Sequence, residues 1–229
     1  EYDRSGYAHF NYTEGVGAYN DDGTLKDNAV VLYVTEDNKN DVTLTYNGKT
    51  VTGIGNILNS RGAESNGGSL TNSNQNILRD LANNNIPLVV RIIGEVKAGD
   101  SNTSNNPPSV NIDGLTQYDS ENYGGTEGDN GMMARIQNAK DITIEGIGAD
   151  ASINGWGIHF VCGTAAYQAG LGKSCEIRNI YFQNYPEDAF GAEGQQEGST
   201  LTAPVERIWV HNNNFGPGYC KNPTDSDKA

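Results

Sequence analysis

Residues 140–215 carry one short pattern three times, and no other feature of the chain restricts its fold so tightly. Asp141-Ile142-Thr143-Ile144-Glu145-Gly146-Ile147-Gly148 aligns with Ser174-Cys175-Glu176-Ile177-Arg178-Asn179-Ile180-Tyr181, and that run aligns with Arg207-Ile208-Trp209-Val210-His211-Asn212-Asn213-Asn214. Both steps are 33 residues. Runs this short and this rich in β-branched residues are strands, and strands recurring at a constant period predict stacked repeats rather than a sandwich.

Within each copy the apolar residues alternate, so Ile142 and Ile144 share a face, with Ile177 stacked on Ile144 and Val210 on Ile177. Such ladder members are expected about 4.8 Å apart in a buried core. Asn179 and Asn212 fall where the strand should bend, with Gly146 at the matching place in the first copy. Asparagine and glycine both reach the left-handed conformation that a bend needs, and asparagine can also hydrogen-bond along a stack.

The rest of the chain agrees with an all-β domain. Its 229 residues include 29 glycines and only 19% charged side chains, a turn-rich composition, and the length suits one unit. Twenty-nine acidic against fifteen basic side chains give a net charge of −14, which opposes phosphate-driven nucleic-acid binding. No run of 18 apolar residues exists to span a membrane. The chain opens on Glu1 without Met or an apolar leader, so any targeting segment is expected to have been removed or left out.

Residues 1–86 read as an arm, a hairpin and a cap. The aromatic, aperiodic stretch with Tyr2, Tyr7, Phe10, Tyr12 and Tyr19 should lie over other elements, residues 28–35 form a strand, and residues 41–52 form a hairpin turning at Asn47-Gly48. Residues 74–82 put Ile77, Leu78 and Leu81 on one face of a short helix, placed to cap the first repeat. Residues 87–229 then hold the repeats: an apolar strand at 87–94, a long polar excursion at 101–130, and a second strand per repeat at 134–136, 157–160 and 189–192.

Two groups of residues invite chemistry. Glu187-Asp188, followed by Glu193 and Glu197, sets carboxylates at the mouth of a short strand, where a hard cation such as Ca²⁺ would find oxygen ligands; the alternative is a solvated acidic edge. His159 and His211 belong to no ligand spacing and read as structural. Of the three cysteines, Cys162 and Cys175 bracket a Gly/Ala-rich loop, so they are expected to form a disulfide that leaves Cys220 unpartnered. A bridge there points to an extracellular or periplasmic protein, and buried free thiols in a cytosolic protein are the alternative.

The order of these segments resembles the pectate lyases of polysaccharide lyase family one. It rests on residues 28–58, on 87–94, on 142–160 with Gly146-Ile147-Gly148 and Gly155-Trp156-Gly157-Ile158, on Glu187-Asp188-Ala189-Phe190, and on 208–215. The resemblance implies a single-stranded right-handed parallel β-helix with an N-terminal capping helix, and calcium-dependent cleavage of polygalacturonate by β-elimination. Asp188 matches the aspartate that begins the family's calcium-binding strand, while the family's preceding aspartate falls on Pro186, so Glu187 would substitute. The family's Trp-x-Asp-His-Asn segment reads Trp209-Val210-His211-Asn212-Asn213. Its catalytic arginine and remaining calcium ligands are expected beyond Ala229, which makes these residues the N-terminal portion of such an enzyme and its C-terminal half a further or separate segment. The other readings are a non-catalytic β-helical carbohydrate-binding or adhesin-like protein, and a calcium-independent pectin lyase.

Overall fold

Short alternating runs pair side by side in parallel, and the molecule is mostly β. The computed structural model describes residues 4, 6–59, 77–98, 111–115, 133–185, 188–197 and 199–218. In chain order the elements are β1 (Val30–Val34), β2 (Thr43–Tyr46), β3 (Lys49–Thr52), α1 (Ile54–Leu58), α2 (Ile77–Asn83), β4 (Leu88–Lys97), β5 (Met133–Gln137), β6 (Lys140–Asn154) and β7 (Gly157–Val161). There follow α3 (Thr164–Gln168), β8 (Lys173–Arg178), β9 (Tyr181–Gln183), β10 (Phe190–Glu193), β11 (Gln195–Glu197), β12 (Thr200–Ala203), β13 (Glu206–His211) and β14 (Asn214–Phe215).

The 33-residue interval is the register between β6, β8 and β13 in the largest sheet, whose strands run β1-β4-β6-β8-β13, all parallel. Ile142 pairs with Cys175 and Cys175 with Ile208; Ile144 pairs with Ile177 and Ile177 with Val210. Val90 and Leu32 extend the second ladder backwards. The second half of β6 continues past a bend to pair with β9, and β9 pairs with β14. A separate parallel sheet, β10-β7-β5, collects the third strand of each pass. The chain thus visits three parallel stacks in the same order, pass after pass.

Inward side chains from these stacks make one core, with Trp156, Phe160, Phe182, Ile144 and Ile177 fully enclosed. Val210, expected to be buried, is half-buried, because among the described residues no strand covers the far side of β13. The hairpin forms as read, with both Asn47 and Gly48 at positive φ, as its tight turn demands. Of the expected helix, Ile77–Asn83 is described, and Ile77, Leu78 and Leu81 enter the core. Asn179 and Asn212 take left-handed φ of 56° and 54° at the strand exits. Gly146 does not: it lies inside β6, and its missing side chain admits the Asn179 carbonyl, which a Cβ would meet at 2.0 Å. Asn179 Nδ2 in turn donates to the Gly146 carbonyl at 2.6 Å, a bond along the stack.

The N-terminal arm lies on the outward face of the large sheet. Ala18 and Tyr19 cover Val89, which is why β4 is apolar on both faces. The Gly17 and Ala18 amides donate to Ser174 Oγ and Thr143 Oγ1. Arg4 donates to both oxygens of Glu176, at 2.9 and 3.2 Å, with both side chains shut off from solvent. Glu145 accepts from Tyr19, Arg91 and Arg178, and His211 Nε2 reaches Glu176 at 3.1 Å. Burial works against ionising Glu176, but the hydrogen bonds from His211 and Arg4 outweigh it and hold the carboxyl below its ordinary 4.5.

Candidate functional site

The sheet β10-β7-β5 turns its apolar residues inward and leaves a polar row outside. Ala134, Ile158 and Phe190 are one set of partners; Arg135, His159 and Gly191, one residue on in each strand, are the next. Strand alternation alone therefore places Arg135, His159 and the bare position 191 side by side on the other face, about 4.8 Å apart. Two residues further along β10, Glu193 Oε2 lies 3.4 Å from His159 Nε2 and 3.9 Å from Arg135 Nη2. The His159 ring is nearly enclosed and the Glu193 side chain nearly half exposed.

Asp188 stands at the mouth of β10, half-buried, and its main chain is pressed against β7 so closely that a Cβ on Gly157 would meet the Asp188 carbonyl at 1.8 Å. Its carboxylate borders a notch. A Cβ at Gly191 would lie 3.0 Å from His159 Cδ2, 3.2 Å from His159 Nε2 and 3.5 Å from Asp188 Oδ2. Asp188 and Glu193 thus bring carboxylate oxygens to the same polar surface, the donor type that calcium takes, and two carboxylates fall short of the six to eight oxygens it needs. Glu187 lies outside the described residues, as does the side chain of Glu197. Among the described residues no group of three or more His, Cys, Asp or Glu is arranged to hold a metal ion.

The expected disulfide is not formed: Cys162 and Cys175 are both free and buried. Their side chains face different interiors. Cys175 occupies an inward rung position between Ile142 and Ile208, in the main core, whereas Cys162 joins a satellite cluster with Ala82, Ala166, Leu171 and Ala203. The loop between them is secured by α3 and its packed Ala166 rather than by a cross-link. Burial pushes the Cys162 thiol up to about 11 and Cys175 higher still, so neither is a nucleophile near neutral pH. Cys220 lies outside the described residues. A Cys220→Ser protein should consume almost no aromatic disulfide reagent while native and two thiol equivalents once denatured under non-reducing conditions. No thiol in either state would restore the bridge.

His211 serves the arm rather than a site, bonded to Glu176 and stacked on Trp209 at 3.8 Å between ring centroids. Beside that stack, the turn Tyr7–His9 and β13 enclose an open groove of about 760 Å³ whose walls include Tyr7, Phe10, Tyr12, Arg207 and Trp209. Tyr7 and Phe10 present most of their surface to solvent.

Sequence reading picked out Asp188 but not Arg135 or Gly191, and it took His159 as merely structural. Residues 135, 159 and 191 are spaced 24 and 32 apart, off the 33-residue interval, because loops of different length separate the strands of this sheet. Alternation within each strand was the available signal, since it sets all three on the polar face. Among the described residues no helix is long and apolar enough to cross a membrane. No protein-family model, no curated protein and no solved structure matches the chain.

Proposed function

We propose that these residues are the first part of a right-handed parallel β-helix that cleaves polygalacturonate by calcium-dependent β-elimination, with Asp188 as a calcium ligand and Glu187 or Glu193 sharing the ion. The observation that carries the reading is the position of Asp188: the mouth of a strand in the third parallel stack, on its polar face, beside His159 and Glu193. The three stacks visited in constant order support the β-helix, and the short helix α2 supports its capped start.

The chemistry accounts for the acidic site. A chain of net charge −14 repels a polyuronate unless a cation stands between them. When bound, calcium neutralises the uronate carboxylate and so acidifies the neighbouring C5 proton. A base takes that proton, the C4–C5 double bond forms, and the C4–O bond breaks with its electron pair leaving on the glycosidic oxygen, which is then protonated. Asp188 holds and orients; the base, an arginine by the resemblance, and the remaining ligands belong to the segment beyond residue 229, in the same chain or as its partner. A polymer of plant cell walls as substrate implies secretion, which the free cysteines no longer support by themselves.

The extended protein, with the segment that follows, should release an unsaturated product from polygalacturonate, followed by its near-ultraviolet absorbance, in calcium and none in EDTA. Equal cleavage of methyl-esterified pectin in EDTA would replace this reading with a calcium-independent pectin lyase. The aromatic groove at Tyr7, Phe10 and Trp209 favours a second reading, a non-catalytic carbohydrate-binding protein, because exposed aromatic faces suit the apolar faces of sugar rings. Binding of the polymer without product would support it.

A further inference from the structure

We propose that the groove between the N-terminal arm and β13 is the seat of a parallel β-strand, supplied by the segment that follows residue 229 and received beneath Tyr7 and Phe10; the proposal rests on the β-helix reading above and names the surface that takes the next pass of the chain. Consecutive residues of a strand point to opposite faces, yet five in a row, Glu206 to Val210, line this groove. What five such neighbours share is the strand's edge, so the groove runs along β13 and presents main-chain groups, the surface to which an added strand bonds. Among the described residues no strand pairs with that side of β13. Nor is the edge blunted in the usual way: β13 holds no proline or lysine, and its Glu206 and Arg207 side chains are engaged by Tyr167 and Glu14.

The arm indicates what fills the groove. It crosses the outward face of the large sheet one strand at a time: the Gly15 carbonyl accepts from Arg207 in β13, the Gly17 amide donates to Ser174 in β8, and the Ala18 amide donates to Thr143 in β6. Residues 7–12 precede these contacts and form the groove's other wall, where the Tyr7 and Phe10 rings stack at 6.4 Å and are largely exposed. Such a wall, set ahead of the last strand, stands to a further strand as Ala18 and Tyr19 stand to Val89 in β4. The core asks for the same occupant. Ile208 and Val210 end their ladders half-buried, and Phe215, last in the second stack, is exposed. The incoming strand therefore places apolar residues opposite Ile208 and Val210, and another opposite Trp209, turned outward beneath Tyr7 and Phe10.

Hydrogen exchange read by mass spectrometry, on the 229-residue chain and on the extended protein, tests this together with melting curves of both carrying Tyr7→Ser and Phe10→Ser. The amides of β13 should exchange at least about tenfold more slowly in the extended protein. The double substitution should lower the extended protein's melting temperature by about 4 °C or more and that of the 229-residue chain by less than about 1 °C, since only the former buries the two rings. Equal exchange of β13 in the two proteins, or an equal melting loss, would overturn the proposal. Protection in the shorter chain that grows with protein concentration would overturn it too, by giving the edge to a second copy, and protection that needs a neutral oligosaccharide would give the groove to sugar. A protected β13 in an extended protein that releases no unsaturated product would sink the lyase reading and leave the strand seated; product with β13 unprotected would do the reverse.

Discussion

Glu176→Gln should lower the melting temperature by roughly 10 °C, a larger loss than any surface substitution would give. Glu176 and Arg4 are both excluded from solvent and bonded through two contacts. Removing one member of such a pair strands the other charge, which costs about 3–5 kcal/mol, and in a chain of this size each kcal/mol is worth about 2–4 °C. Arg4→Met combined with Glu176→Leu, which removes both charges, should recover most of the loss. The same carboxyl predicts an acid response. Its pKa is depressed in the folded state, so its contribution is complete above the ordinary value of 4.5 and is lost as pH falls through the lower folded value. Glu145, depressed by hydrogen bonds from Tyr19, Arg178 and Arg91 against the opposing effect of burial, adds to the same window. Thermal melts from pH 6 downward should fall more steeply for the parent than for Glu176→Gln. Parallel curves, or a midpoint shifted by less than about 2 °C, would mean that the arm is not held by this pair.

That pair also marks where sequence reading stopped. The ladders Ile142-Cys175-Ile208 and Ile144-Ile177-Val210 were legible because parallel stacking repeats both the period and the alternation, and the register follows them residue for residue. The partners of the arm are 172 residues apart, and no local pattern links Arg4 to Glu176. The disulfide failed for a related reason: flanking a loop says nothing about which interior each side chain faces, and Cys162 and Cys175 face different ones. Gly146 was read as a bend residue from its alignment with Asn179, yet it is close approach to Asn179, not a left-handed conformation, that requires it. A second recurring signal passed unread, because Asp141, Ser174 and Arg207, at the head of each copy, all adopt left-handed φ between 56° and 64°. Asp188 was singled out from its place before a strand and from the resemblance, whereas Arg135 and Gly191 come near it only through pairings that uneven loops conceal.

Asp188→Ala is expected to separate stability from function. The residue is half-buried at a strand mouth, and substitutions in such places away from the core change stability by about 0.5 kcal/mol, so the melting temperature should stay within about 2 °C. A cation that neutralises charge in the transition state supplies several kcal/mol, and each 1.36 kcal/mol is tenfold in rate. The extended protein carrying Asp188→Ala should therefore lose at least about a hundredfold of its cleavage rate on polygalacturonate, and calcium titration should show weakened binding. The most direct test is that rate, parent against Asp188→Ala, across a calcium series. The account predicts calcium-dependent product from the parent, almost none from the folded variant, and partial recovery at high calcium; equal rates in both proteins, with the same calcium dependence, would contradict it.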